Sequence, residues 1–465
     1  MSGVVVIGLD SLSPDLLFER FKPDMPNTRA LMEEGRWGVL RTCHPPITIP
    51  AWAVMFTGMD PGSLGLYGIH HRSPGSYFGI YVPTPKNIRH PPIWSHLSAE
   101  GKRVAVVGVP PAYPPPAVNG IATGDFLTPD GAADAVFPSG MQKELEKALG
   151  EKLMFDVLFR QEDRATTLDG IVKLSRQRWT LAREIYKRGP WELFAVHDIG
   201  PDRIHHAFLK FFDPSHPRYS KGNQFEQSVH SYYRMIDEEI GKLLKMLDPK
   251  TAVLVVSDHG TQAMQGCFAI NEWLVRNGYL SLKGKPRRGA SLEKSEVDWS
   301  RSRVWATGGY YSRINFNVRG REPLGIVSPQ DVDKLTEELR ERLGAVKKPN
   351  GELLGVKLLK PQEIYREVVG DAPDLMAYFG DVSWRAAGTM GHESLFLEEN
   401  DTGPDDAVHG WEGVYLLRNP SMGRKGKGPE QKLIDVAPTL LALMGRKPMP
   451  HMQGKVIGDW LGGSD

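Results

Sequence analysis

The chain of 465 residues has only two cysteines, Cys43 and Cys267. They form no C-x-x-C pair, which excludes a disulfide framework and a thiolate zinc site. No apolar run approaches the roughly 18 residues of a bilayer span. No basic n-region, long apolar h-region or small-residue cleavage site precedes the first strand pattern, "MSGVVVIGLD". The expectation is a cytoplasmic protein with reduced thiols and no membrane partner. An excess of one charge is also missing: 57 Lys and Arg face 56 Asp and Glu, for a formal net charge of +1. Nothing therefore draws the chain to nucleic acid, and none is expected as a partner. Short basic patches such as "KGKPRR" read as solvated loops. Internal repeats and low-complexity segments are absent, which excludes a solenoid.

What is present is globular material, 40% hydrophobic and 24% charged, long enough for a large buried core. Short β-branched runs alternate with helical patterns, as in a parallel sheet covered on both faces. The clearest strands are "VVVIGLD" (4–10), "RVAVVGVP" (103–110), "WELFAVHD" (191–198) and "TAVLVVSDHG" (251–260). Between the last two, Val229, Tyr232, Ile236, Ile240, Leu243 and Leu247 recur at helical spacing and predict a helix packed on that sheet. Residues 266–365 break the pattern, with the strand-like "YYSRINFNV" and a helix around "PQDVDKLTEELRERLG". They read as an inserted cap between core segments 1–265 and 366–465, and a helical insertion is expected at about 130–190. Near the end, "DVAPTLLALMG" predicts a helix capped by Asp435 and stopped at Gly445.

In open α/β sheets, sites form at the carboxyl ends of the strands. Asp10 ends the first strand, Asp202 and His206 follow "WELFAVHD", and Asp258 and His259 end "TAVLVVSDHG". His409 stands near the C-terminus in "DDAVHGWEG". Asp202 and His206 are four apart, so a helix from Pro201 would put both on one face, with His205 and Asp198 as neighbouring alternatives. Carboxylates plus imidazoles are the ligand set of zinc or a similar divalent ion, in number enough for two. Thr48 sits between prolines in "HPPITIPAW", where packing does not ask for a hydroxyl.

In this order, with "PITIPAWAVMFTGMDPG", D-x-x-x-H, "DHG" and His409-x-x-x-Gly413, the chain resembles the alkaline phosphatase superfamily. Within it, the chain is most similar to the type I phosphodiesterase and nucleotide pyrophosphatase branch and its prokaryotic phosphohydrolase and phosphomutase-like members. The resemblance implies an alkaline-phosphatase-like α/β fold, a three-layer α/β/α sandwich with a mostly parallel central sheet plus an inserted cap. It also implies one divalent ion, zinc with manganese or iron as alternatives, on Asp10, Asp258 and His259 beside Thr48, and a second on Asp202, His206 and His409. Thr48 would be the nucleophile, forming a phosphothreonine that water then cleaves. A small-molecule phosphate ester would be the substrate.

Departures bear on that substrate. Ala51, followed by Trp52, stands where animal-type nucleotide pyrophosphatases carry an Asn, and Ser63-Leu64 where related prokaryotic members carry Lys-His. A sulfatase is a poor match, because sulfatases need Cys or Ser in a C/S-x-P-x-R setting and here Thr48 is followed by Ala51-Trp52 in the place of the arginine. Two alternatives stay open: a phosphomutase under a closed cap, and a metal-binding protein without turnover. Arg313, Arg319 and Arg321 are candidate anion contacts, His70 and His71 candidate site neighbours, and Trp52 reads as core.

Overall fold

The computed structural model describes residues 3–461. The predicted strands form as Val4–Leu9, Val104–Val107, Leu193–Asp198 and Ala252–Val256. Edge to edge, the central sheet runs Gly426–Lys427, Arg36–Arg41, Glu412–Arg418, Ala252–Val256, Val4–Leu9, Leu193–Asp198, Val104–Val107, Gly120–Thr123 and Val136–Phe137, with Gln431–Lys432 also on Arg36–Arg41. Glu412–Arg418 runs antiparallel to both its neighbours and Val136–Phe137 to its one; the other pairings are parallel.

The continuous apolar runs are explained by burial on both faces. Val5, Ile7 and Leu9 point into one core with Val253, Val255, Phe194 and Val196. Val4 and Val6 point into the other with Leu254, Val256, Leu193 and Ala195. Burial of each such side chain contributes about 1.5–3 kcal/mol. The first face is covered by helices Arg164–Tyr186, Gly200–Phe212 and Glu226–Leu244, the second by Thr48–Thr57, Ile93–Ala99 and Val436–Leu443. The result is the three-layer α/β/α sandwich.

A seven-stranded second sheet starts where the cap was expected, with order Val304–Thr307, Ser312–Phe316, Leu375–Phe379, Trp384–Ala387, Gly266–Ala269, Phe396–Leu397, and Val356–Leu359 on Leu375–Phe379. It has a core of its own, in which Leu335, Leu339 and Leu343 of helix Val332–Gly344 meet Ile314, Phe316 and Leu375. The boundary expected at 365 falls inside this sheet. "APDLMAYF" is a buried strand pattern equally at home in either sheet, so the sequence alone does not say which one it joins. Residues 130–190 hold helices Met141–Leu149 and Arg164–Tyr186. The second is part of a main layer rather than an insertion outside it: Ile171, Trp179, Ala182 and Ile185 all enter the first core. The C-terminal helix forms at Val436–Leu443, but Asp435 does not cap it; its Oδ1 accepts from the Lys455 N–H instead, at 2.7 Å.

Candidate active site

Strand Val4–Leu9 delivers Asp10 to the carboxyl edge of the sheet, and Ala252–Val256 delivers Asp258 and His259 beside it. Asp10 Oδ2 accepts from the Trp52 indole N–H at 2.9 Å and lies 2.7 Å from His197 Nε2. Trp52 is one helical turn beyond Thr48, and its ring crosses the first strand at Gly8, where a Cβ would lie 2.3 Å from it. That close approach requires the glycine. Asp10 Oδ1 and Asp258 Oδ2 are buried with no hydrogen-bond partner. Burial, then the Asp10 charge, pushes the Asp258 carboxyl well above the usual carboxylate range.

His259 Nδ1 lies 3.0 Å from the Gly260 carbonyl, an acceptor only, so Nδ1 carries the proton and the Nε2 lone pair faces inward. Burial holds this imidazole below its ordinary range, hence neutral. Its Nε2 is 3.3 Å from Asp258 Oδ2, 3.6 Å from Asp10 Oδ1 and 3.4 Å from Thr48 Oγ1. Thr48 is buried and opens helix Thr48–Thr57, which ends at left-handed Gly58. The helix therefore begins before Pro50. Pro50 has no N–H, and the N–H groups of Thr48 and Ile49 precede the first intrahelical bond, leaving two donors beside the hydroxyl.

The second cluster sits on helix Gly200–Phe212, whose first residues turn Asp202 and His206 to one face. His206 Nε2 is 3.2 Å from Asp202 Oδ1, and His409 Nε2 is 3.6 Å from that oxygen and 3.3 Å from His206 Nε2. Asp202 Oδ1 is again buried and unpartnered, while Oδ2 accepts from Arg203 at 2.6 Å. His409 arrives on strand Ala407–Gly410, paired with Gly260–Ala263 so that its ring stacks on His259 at 3.8 Å. Its Nδ1 lies 2.7 Å from the Pro46 carbonyl. Asp405 Oδ1 accepts from His206 Nδ1 at 2.7 Å, and the second sheet supplies Tyr310, whose hydroxyl is 3.1 Å from His206 Nε2 and whose ring lies 3.7 Å from that of His409. Burial opposes charge on His206, yet Asp405, Tyr310 and Asp202 raise it well above its ordinary range.

The donors within each cluster lie within 4.8 Å of one another. Three orphaned buried carboxylate oxygens converge on three imidazole nitrogens whose other ring nitrogens are already engaged. Left alone, such oxygens are strongly destabilising; a divalent cation in each cluster would satisfy them, and the O,O,N and O,N,N donor sets suit a zinc-type ion. The residues thus fit the expected metal centre.

All seven sequence candidates come together here. Asp198 and His205 do not: Asp198 accepts from Gly200 N, Ser175 and Trp179, and His205 contacts the Tyr233 hydroxyl. Beside Tyr310 and Ile47 opens a cavity of about 640 Å³ between the two sheets, lined by His70 and Arg313 among others. His71 is instead a buried structural residue, its Nε2 accepting from Tyr67 N at 2.8 Å. Arg321 is committed to Asp374, and Arg319 is exposed away from the cavity. Ser63 and Leu64 pack in the core, Ser63 Oγ accepting from Gln453. Sequence reasoning missed the roles of Trp52, His197, Asp405 and Tyr310. A signal existed for Trp52, at i+4 from Thr48, and for His197, in the strand before Asp202.

Among curated proteins none matches the chain. Of solved structures, human ectonucleotide pyrophosphatase / phosphodiesterase 5 aligns over 99% of this chain and 100% of its own, with 14% identity and a TM-score of 0.56. Phosphonoacetate hydrolase from Sinorhizobium meliloti 1021, in complex with phosphonoformate, aligns over 96% of this chain and 95% of its own, with 15% identity and a TM-score of 0.61. The sequence pattern of one family runs from residue 4 to residue 412, through all seven candidate site residues, and the chain belongs to that family, type I phosphodiesterase / nucleotide pyrophosphatase.

Proposed function

We propose that the protein hydrolyses a small phosphate ester, as a metal-dependent phosphodiesterase or phosphohydrolase with two divalent ions and a phosphothreonine intermediate on Thr48. The observation that carries this is the position of the Thr48 hydroxyl, 3.4 Å from the ligating nitrogen of one cluster, with that cluster's histidine stacked on one from the other. Family membership supports phosphoester chemistry, and the activities for which the two structural neighbours are named support hydrolysis at a phosphorus centre. Bound ions supply the Lewis acidity that favours the threonine alkoxide and offsets charge on the phosphoryl oxygens.

The chain's own residues do the rest. The Thr48 oxygen forms a bond to phosphorus as the ester P–O bond breaks and the alcohol leaves. The Thr48 and Ile49 N–H groups donate to a phosphoryl oxygen as charge builds on it. Water then attacks the phosphothreonine, releasing phosphate or a monoester and restoring the hydroxyl. A phosphomutase must exclude that water; the cavity here opens to solvent at Ile80, which is 64% exposed, and this favours hydrolysis.

The test compares a chromogenic phosphodiester and the matching monoester with chelator-stripped protein refilled with zinc or manganese, for wild type and Thr48→Ala. Diester cleavage that needs both metal and Thr48 is expected. Monoester preference would reassign the protein as a phosphatase, and turnover by Thr48→Ala at the wild-type rate would overturn the nucleophile.

A further inference from the structure

Five guanidinium groups line the cavity beside the two clusters: Arg72, Arg160, Arg203, Arg313 and Arg385. Four of them are paired with carboxylates. Arg72 grips Asp371 through two nitrogens and reaches Glu322, Arg203 holds Asp156 and Asp202, and Arg160 and Arg385 share Asp405. Arg313 has no carboxylate partner among the described residues. Its Nε donates to the Thr307 hydroxyl at 3.1 Å and its Nη1 to the His70 carbonyl, both neutral acceptors. These two bonds fix the plane of the fork and leave Nη2 with no acceptor among the described residues.

The charge of Arg313 acts on the imidazoles of His70 and His71 and on the Tyr311 hydroxyl; of these, His70 lines the cavity. Burial, then the charge of Arg313, holds His70 below its ordinary range, so it stays neutral. Of the carboxylates in the lining, Asp156 and Asp371 are paired as above. Asp401 accepts from the N–H groups of Gly388 and Thr389, and Glu293 is exposed at the mouth. Much of the cavity wall is apolar, with Phe126, Phe159, Trp305, Tyr77 and Phe78. A cavity of this size lies within the range of small-molecule sites, in which a few oriented polar groups fix the ligand.

We propose that Arg313 is the anchor of a second subsite, which takes an oxyanion at the far end of the ester's organic group. The substrate class is then a phosphate ester with an apolar or aromatic spacer bearing a carboxylate or a second phosphate-type group. This rests on the phosphoester reading above. A fixed, uncompensated guanidinium in a largely apolar cavity is the arrangement that a carboxylate or phosphate satisfies through charge-assisted bonds.

The test uses metal-loaded full-length protein and three 4-nitrophenyl aryl phosphodiesters, whose second ring carries a carboxylate, a phosphonate or a methyl ester. Wild type is expected to favour one of the charged esters over the methyl ester by about 10- to 100-fold in kcat/KM, the range of charge-assisted hydrogen bonds, with the difference in KM. Whichever is favoured identifies the anion. Arg313→Gln is expected to abolish the ratio and Arg313→Lys to keep part of it, with both folds checked by thermal unfolding. A ratio near one in wild type, or one unchanged in Arg313→Gln, would overturn the subsite. If wild type turns over none of the three esters, it is the phosphoester reading that has failed. Calorimetric binding of 4-carboxyphenylphosphonate against its methyl ester then decides the subsite: a wild-type preference lost in Arg313→Gln supports it, and equal affinities overturn it.

Discussion

Replacing Asp405 by Asn tests whether the second cluster is held by a fixed histidine tautomer. Asp405 is fully buried; its Oδ1 accepts from His206 Nδ1 at 2.7 Å and from Ala407 N at 3.3 Å, and its Oδ2 from Arg160 Nε at 2.8 Å and Arg385 Nη1 at 3.0 Å. Asparagine has the same shape, but neither of its orientations works. With its NH2 in the place of Oδ2, it points donors at two guanidinium groups. Flipped, it points them at His206 Nδ1, which must then accept and so move its proton to Nε2, the atom that faces Asp202 and His409. Breaking a buried ion pair costs about 3–5 kcal/mol. Arg160 is partly exposed and also bonded to the Tyr310 hydroxyl, which sets the expected loss near the lower end, about 3 kcal/mol. Loss of a carboxylate behind a ligating histidine weakens metal binding by about 10- to 100-fold.

Burial opposes ionisation of Asp405, yet His206, Arg160 and Arg385 hold its carboxyl well below the usual range. Its stabilisation is therefore complete above the unfolded carboxyl pKa, about 3.9, and is lost only as pH falls through the lower folded value. Urea unfolding of the chelated proteins should show a near-constant gap between wild type and Asp405→Asn from about pH 5 to 6, below the range in which His206 loses its proton, that closes only in stronger acid. Calorimetric zinc titration should show one of two equivalents weakened. Two tight equivalents with wild-type affinity in the variant would refute the tautomer argument, and an unchanged unfolding midpoint would refute the ion-pair argument.

Trp52→Phe removes the indole N–H from Asp10 Oδ2 and also the outer ring atoms over Gly8; stability of the chelated protein should fall by at least about 1.5–3 kcal/mol, read by urea unfolding, and an unchanged midpoint would show the bond idle. Tyr310→Phe removes a hydroxyl 3.1 Å from His206 Nε2, a contact that metal binding must break, so zinc affinity at that cluster should rise by up to about tenfold in calorimetry, and weaker binding would show that the hydroxyl assists the ion instead. Asp406 is raised to about 6, chiefly by burial, with Lys210, Arg164 and Arg218 pulling the other way. A carboxyl raised on folding stabilises at low pH, and that contribution declines between about 3.9 and 6, by roughly 2–3 kcal/mol in all. Stability profiles of wild type and Asp406→Asn should differ in slope across pH 4–6, and parallel profiles would refute the assignment.

The parts of the site that the sequence exposes are those whose geometry is local. Asp258 and His259 are adjacent at the end of a strand buried on both faces, so their delivery to one point needs only the strand. Asp202 and His206 need only one helical turn. His409 is different: a lone histidine in a loop has no local signature, and only the resemblance assigns it. Asp405 is further still from legible, because its partners His206, Arg160 and Arg385 lie on a helix, a loop and the second sheet. The fold divides in the same way. Two-sided burial makes the central strands readable, whereas the second sheet, which mixes strands from before and after residue 365, has the same local pattern on both sides of that boundary.

The position of Ala51 carries one more step. By the resemblance, animal-type nucleotide pyrophosphatases meet the phosphate here with an Asn; in this chain Ala51 is fully buried in the second core, beside Trp52 and Leu254. The helix face that would carry a polar phosphate contact carries packing instead, and the next side chain, Trp52, spends its one donor on Asp10. Recognition of the ester is thereby left to the first-turn N–H groups of Thr48 and Ile49, to the two ligand clusters, and to the wall of the cavity that the second sheet supplies. That sheet contributes Arg313 and Arg385, and the turn between two of its strands Tyr310, to the same space, so on the proposed function the part of the chain that interrupts the sandwich would also be the part that distinguishes one phosphate ester from another.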